Sequence, residues 1–162
     1  MKRIILLIVL FATLSCKEDT SYKPHLKNPE LFQAAMKNLT DIVVYDIFSP
    51  PVASRVYLYP SVAAYETARQ EFPKEYQSLV GQVKELESVP APQSEKIDFS
   101  LAALYAFNKV GRALIFSENK MDAFEEKFQN QLDEMNVPSS VNRASRNYGE
   151  QVADHILVWA KG

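Results

Sequence analysis

From Asp98 to Phe116 the chain is apolar on nearly every helical side, with Phe99, Leu101, Leu104, Tyr105, Phe107, Val110, Leu114, Ile115 and Phe116. A helix with no wet face must be surrounded by other elements, so this segment predicts the centre of a bundle. The flanking sequence supplies helices to surround it. Asn28 is a good N-cap ahead of Pro29-Glu30, and Phe32, Met36, Leu39, Val43 and Ile47 then recur as one apolar stripe. Ser49-Pro50-Pro51 ends that helix and starts a second, which runs to about Arg69 and should be broken or kinked at Pro60. A weaker third helix is predicted over Lys74 to Glu87, followed by a proline-bearing loop, Ser88 to Lys96.

Beyond the central segment, Ser117 should cap a helix striped by Met121, Phe124, Phe128, Leu132 and Met135. After the turn at Asn136-Val137-Pro138, a last helix carries Val141, Tyr148, Val152, His155 and Trp159. Only four glycines in 162 residues, with runs of Ala, Leu, Glu and Lys, favour helix over sheet. The expectation is an all-α bundle of five to six helices over residues 29–162.

The first residues are of another kind. Lys2 and Arg3 precede the apolar run Ile4 to Ala12, which closes on Thr13-Leu14-Ser15-Cys16. This is the anatomy of a secretory signal, and the run is shorter than the roughly 20 residues of a spanning helix. The chain's single cysteine, at the end of the run, predicts a lipoprotein signal over residues 1–15 with Cys16 lipidated. The box is relaxed, with Thr13 where leucine is usual, and resembles those of Bacteroidetes lipoproteins. Lys17-Glu18-Asp19 resembles the charged tag of surface-exposed members of that group. Residues 16–28 read as a flexible tether, including His25. The partner implied is a membrane, reached through the lipid anchor, and the location is the cell envelope, on an outer-membrane lipoprotein facing the periplasm or the surface.

Eighteen Lys and Arg against twenty Asp and Glu give a net charge of −2. With no basic cluster, nucleic acid has nothing to bind through. A lone cysteine excludes an internal disulfide framework. No Gly-x-Ser-x-Gly, P-loop or dinucleotide fingerprint is present. Nor is there a Glu-x-x-His pair of the kind a di-iron bundle uses. No catalytic, cofactor-binding or metal-binding residue is assigned. One constellation stands out as structural: Asp46 and Arg55 flank the Ser49-Pro50-Pro51 corner. They are predicted to pair across it, with Tyr57, Tyr59 or Tyr65 adding hydrogen bonds. His155 is expected to be a core or interface histidine bonded to backbone.

The block Asp46-Ile47-Phe48-Ser49-Pro50-Pro51-Val52-Ala53-Ser54-Arg55-Val56-Tyr57-Leu58-Tyr59-Pro60, followed by Ala63-Ala64-Tyr65-Glu66, resembles the N-terminal region of bacterial vanadium-dependent haloperoxidase-like proteins. These belong to the type-2 phosphatidic acid phosphatase superfamily. Leu101 to Leu114 and Tyr148 to Ile156 resemble the same proteins, so the likeness extends from about Leu26 to Lys161.

The resemblance implies a helical fold and a parent activity of phosphate-ester hydrolysis or vanadate-dependent halide oxidation. It also implies an anion held by three motifs: Lys-x6-Arg-Pro, Pro-Ser-Gly-His and Ser-Arg-x5-His-x3-Asp. Lysine and arginines neutralise the oxyanion, one histidine attacks or coordinates, and another serves as acid or base.

This chain has no Arg-Pro and no Ser-Gly-His. Ser145-Arg146 begins like the third motif, but the histidine position is Val152 and His155 falls three residues late. The chain is therefore expected to supply the N-terminal helical portion, with no catalysis of its own. Vanadate or phosphate would be bound only with a C-terminal half, which could be encoded separately. The alternative to a structural lock at the Ser49-Pro50-Pro51 corner is that, in a complete enzyme, it lines the approach to the anion pocket. The alternative is a self-sufficient, non-catalytic helical lipoprotein that binds a partner at the envelope.

Overall fold

A computed structural model describes residues 20–161. The signal over residues 1–15, Cys16 and the start of the tether lie outside the described residues. A short helix α1 (Lys23–Leu26) leads into α2 (Pro29–Tyr45), α3 (Pro50–Ala68), α4 (Phe99–Arg112), α5 (Glu118–Glu134) and α6 (Ser139–Trp159), with a single 3-10 turn at Arg69–Glu71. There is no strand among the described residues, only one isolated bridge between Val80 and Val83. The fold is the all-α bundle that the sequence implies.

Helix α4 is the centre, as its composition requires. Every residue from Leu101 to Phe107 is buried. One side, with Leu101, Leu104 and Phe107, packs with Leu39 and Ile42 of α2 and with Met121 and Leu132 of α5. The other side, with Ala102, Ala106 and Val110, packs with Val62 and Ala63 of α3 and with Val152, Ala153 and Ile156 of α6. Small residues on that side let α3 and α6 lie close to α4. On the other side, large residues set a wider gap, filled by Phe32 edge-on to Phe107 at 5.0 Å between ring centres. Full burial of Phe107 contributes about 2–3 kcal/mol.

Four expectations are corrected. The expected tether ends at Asn28, yet Tyr22 and Leu26 are buried in the core, so apolar side chains anchor the chain before α2 begins. The buried stripe of α2 is Leu31, Ala35, Leu39, Ile42 and Val43, rotated from the predicted one, and Ile47 lies beyond the helix and is 89% exposed. Helix α3 runs unbroken through a buried Pro60.

The predicted helix over Lys74 to Glu87 does not form. Gly81 (φ 79°) and Glu85 (φ 62°) are left-handed, which no α-helix accommodates. Side chains of α3 and α6 take this segment's backbone groups instead. Tyr65 Oη donates to Gln77 O at 2.6 Å and Trp159 Nε1 to Lys84 O at 3.1 Å. The loop over Ser88 to Lys96 is as expected.

Candidate functional site

The corner between α2 and α3 is built by chain reversal at the end of α2. Asp46 is the last near-helical residue, and Ile47 turns left-handed at φ 54°. Phe48 N then donates to Val43 O at 3.3 Å and Ile47 N to Val44 O at 3.2 Å, a Schellman closure. Glycine is usual at that left-handed position, and a β-branched isoleucine there is strained by about 1–2 kcal/mol.

Helix α3 starts directly after, with Ser49 as N-cap and Pro50 and Pro51 exposed in the first turn. Ser49's hydroxyl makes no capping bond, and little is left for it to cap. Two of the four first-turn donors are missing because they are prolines. The other two, Val52 N and Ala53 N, already reach Ser49 O at 3.0 and 2.9 Å.

Asp46 and Arg55 do not pair. Arg55 is exposed on α3, and it makes no ion pair among the described residues. Asp46 faces the other way, toward the α4–α5 connection. Its Oδ2 accepts from Phe116 N at 2.8 Å and Ser117 N at 3.2 Å, and its Oδ1 accepts from the Ser117 hydroxyl. The lock is real but joins α2 to the start of α5, seventy residues on. The three donors are loop groups whose approach nothing in the local sequence announces. Of the tyrosines offered as extra partners, Tyr65 bonds Gln77 and Tyr59 stands edge-on to Trp159 at 5.2 Å.

Partial desolvation pushes the Asp46 carboxyl up, but the Ser117 hydroxyl, the Phe116 and Ser117 amides and the Lys120 charge together hold it below its usual value. A depressed folded value means that this stabilisation is complete above the unfolded carboxylate value near 4. It is lost as pH falls through the folded value. Asp46→Asn should therefore lose about 1 kcal/mol at neutral pH, a small figure because the site is half open to water. Urea denaturation at neutral and acid pH checks it: the gap between wild type and variant should close in acid.

The residues that mimic a catalytic motif do structural work. Ser145 is fully buried, and its Oγ accepts from Asp98 N at 2.9 Å while Asp98 Oδ1 caps α4 at Leu101 N, 3.0 Å away. Arg146 lies over the Tyr105 ring at 4.8 Å. His155 Nε2 is 3.1 Å from Glu87 O, and because a carbonyl only accepts, Nε2 carries the proton. Tyr148 donates to Pro90 O at 3.0 Å, and burial pushes its hydroxyl up to about 12. His25 is exposed on α1.

Two clusters escaped the sequence reading. Glu66 is fully buried and holds the segment after α3, and Arg112 lies among Glu118, Asp122 and Glu125, held in its charged form. Both were visible only as acids and bases at helical spacing, a pattern that surfaces also show. No group of three His, Cys, Asp or Glu among the described residues is placed to hold a metal, and no described helix is long and apolar enough to cross a membrane.

No family model matches the chain. No curated protein matches it either. Among solved structures, a crystal structure of a bacterial vanadium-dependent iodoperoxidase is similar at 39% identity and a TM-score of 0.76. The match covers 82% of this chain and 32% of that one, so this chain spans about a third of the length of the protein it resembles. The bundle of α2 to α6, with its strained corner and its enclosed α4, is a haloperoxidase-like fold.

Proposed function

We propose that this chain is the lipid-anchored N-terminal helical layer of a vanadium haloperoxidase- or phosphatase-type protein, and that another segment brings the residues that hold vanadate or phosphate. One observation carries the reading. Identity of 39% extends over most of this chain but over only 32% of the iodoperoxidase, and none of the three anion motifs occurs among the 162 residues. Lys2-Arg3, the apolar run and Cys16 support the anchor at an outer membrane.

The corner supports a docking face for that other segment. Ile47, Phe116 and Val44 are 89%, 79% and 70% exposed, and Phe116 stands edge-on to Phe48 at 4.9 Å. Val52 and Leu58 of α3 are exposed as well. Ile47 bears backbone strain yet is almost wholly exposed among the described residues. Strain of this kind points to a role outside the fold that holds it.

Assays of the purified chain test the proposal, one with a phosphate monoester and one with vanadate, peroxide and iodide. Background rates are expected in both, and turnover by this chain alone would overturn the reading. A second reading, a self-sufficient module that binds a partner at the envelope, is favoured by the burial of α4 from Leu101 to Asn108. The two part on whether sequence carrying the missing motifs is encoded beside this gene.

A further inference from the structure

Far from the corner, a second apolar surface lies where the described chain begins. Helix α2 carries the chain about 26 Å to the corner and α3 returns it over about 28 Å, so the segment after α3 meets the start of α2. Lys27 Nζ stands 5.8 Å from the centre of the Phe72 ring and 2.7 Å from Glu71. Phe72 is edge-on to Tyr76 at 6.3 Å, and the Tyr65 hydroxyl bonds the carbonyl of the next residue, Gln77. All three rings are exposed.

Beside them opens an apolar groove, lined by the same Lys27 and Tyr65 and by the buried Leu26, Ala64, Ala103 and Leu104. Charge on this surface is mixed. Lys23 and Lys74 are exposed, Glu75 adjoins Lys74, and Lys27 is paired with Glu71. Aromatic rings with polar edges, set among lysines, have the composition of a membrane interface. There tyrosine and lysine place their apolar bodies toward lipid and their polar tips in water.

The predicted anchor is close by. Thr20 O accepts from Lys23 N at 3.1 Å, so Thr20 stands one turn ahead of the first residue of α1. Cys16 precedes Thr20 by four residues, a reach of at most about 14 Å. We propose that this surface rests on the lipid bilayer that holds the Cys16 anchor, with Phe72 and Tyr76 at the headgroup level and the groove facing lipid. The proposal depends on the anchor reading given above. The corner, at the far end of α2, is then turned away from the membrane and left free for the other segment.

Photolabelling of the full chain tests it, in vesicles of phosphatidylethanolamine and phosphatidylglycerol that contain a phospholipid with a diazirine near its headgroup. Peptide mass spectrometry should find label on residues 69–78 and not on the peptides that hold Ile47 and Phe116. Phe72→Ser combined with Tyr76→Ser should lose most of that label and keep Tm, because both side chains are exposed. The mass of the N-terminal peptide reads the Cys16 lipid separately, so the anchor stands or fails by its own measurement. No label at 69–78, equal label at the corner, or label that survives the double substitution would overturn the proposal, whatever Cys16 carries.

Discussion

Replacing Gly149 with alanine is expected to cost the bundle about 3 kcal/mol, seen as a fall of about 10 °C in Tm. In a solvated helix the same change stabilises by about 1 kcal/mol, because glycine is the poorer helix former. Here the sign reverses. A Cβ on Gly149 would lie 2.2 Å from the carbonyl oxygen of Ala102, 3.0 Å from Tyr105 Cβ and 3.1 Å from Ala102 C. Two of these three atoms are backbone of the central helix, so no rotamer change relieves the overlap, and α6 must move away from α4. That movement opens the small-residue seam formed by Ala102, Ala106 and Ala153, all buried at 5% exposure or less. Thermal denaturation followed by far-UV circular dichroism checks the prediction. A Tm at or above that of the wild type would mean that α4 and α6 do not approach as described.

Glycine at 149 also shows where sequence reading stops. The bulk of the fold was legible because burial leaves a pattern: the all-round apolarity of α4 and the Met121, Phe128, Leu132 stripe of α5 predicted helices that exist. Reading large residues as the core misplaced the buried side of α2 by one position and passed over Ser145, Gly149 and Ala153 of α6, where small size is what the packing needs. Left-handed backbone at Gly81 and Glu85 is likewise invisible to apolar periodicity, which predicts a helix where the chain turns. The corner was recognisable as special from Ser49-Pro50-Pro51 alone. Its partner was not, because Asp46 satisfies amides whose position is set by the path of the chain seventy residues later.

Glu66 is a charged residue that is wholly internal. It shares a face of α3 with Val62, Ala63 and Thr67, all buried. Its Oε1 accepts from Leu79 N at 2.7 Å, both carboxylate oxygens lie 3.0–3.1 Å from the Ser78 hydroxyl, and Arg69 Nη1 stands 3.6 Å from Oε2. The carboxylate thus closes the start of the irregular segment between α3 and α4 onto α3, as a helix over those residues would otherwise have done.

Glu66→Ala removes the acceptor but leaves the donors and the Arg69 charge in place. The expected loss is about 3–4 kcal/mol, a large share of the 5–15 kcal/mol typical of a domain. Glu66→Gln keeps the shape and one acceptor, so it should lose about half as much. Chemical denaturation measures both, and amide exchange locates the effect: Leu79 N–H should lose protection first, ahead of α4. Equal stability of wild type and Glu66→Ala would mean that the segment is held by Tyr65, Arg69, Tyr148, His155 and Trp159, and that the buried carboxylate is not what fixes it.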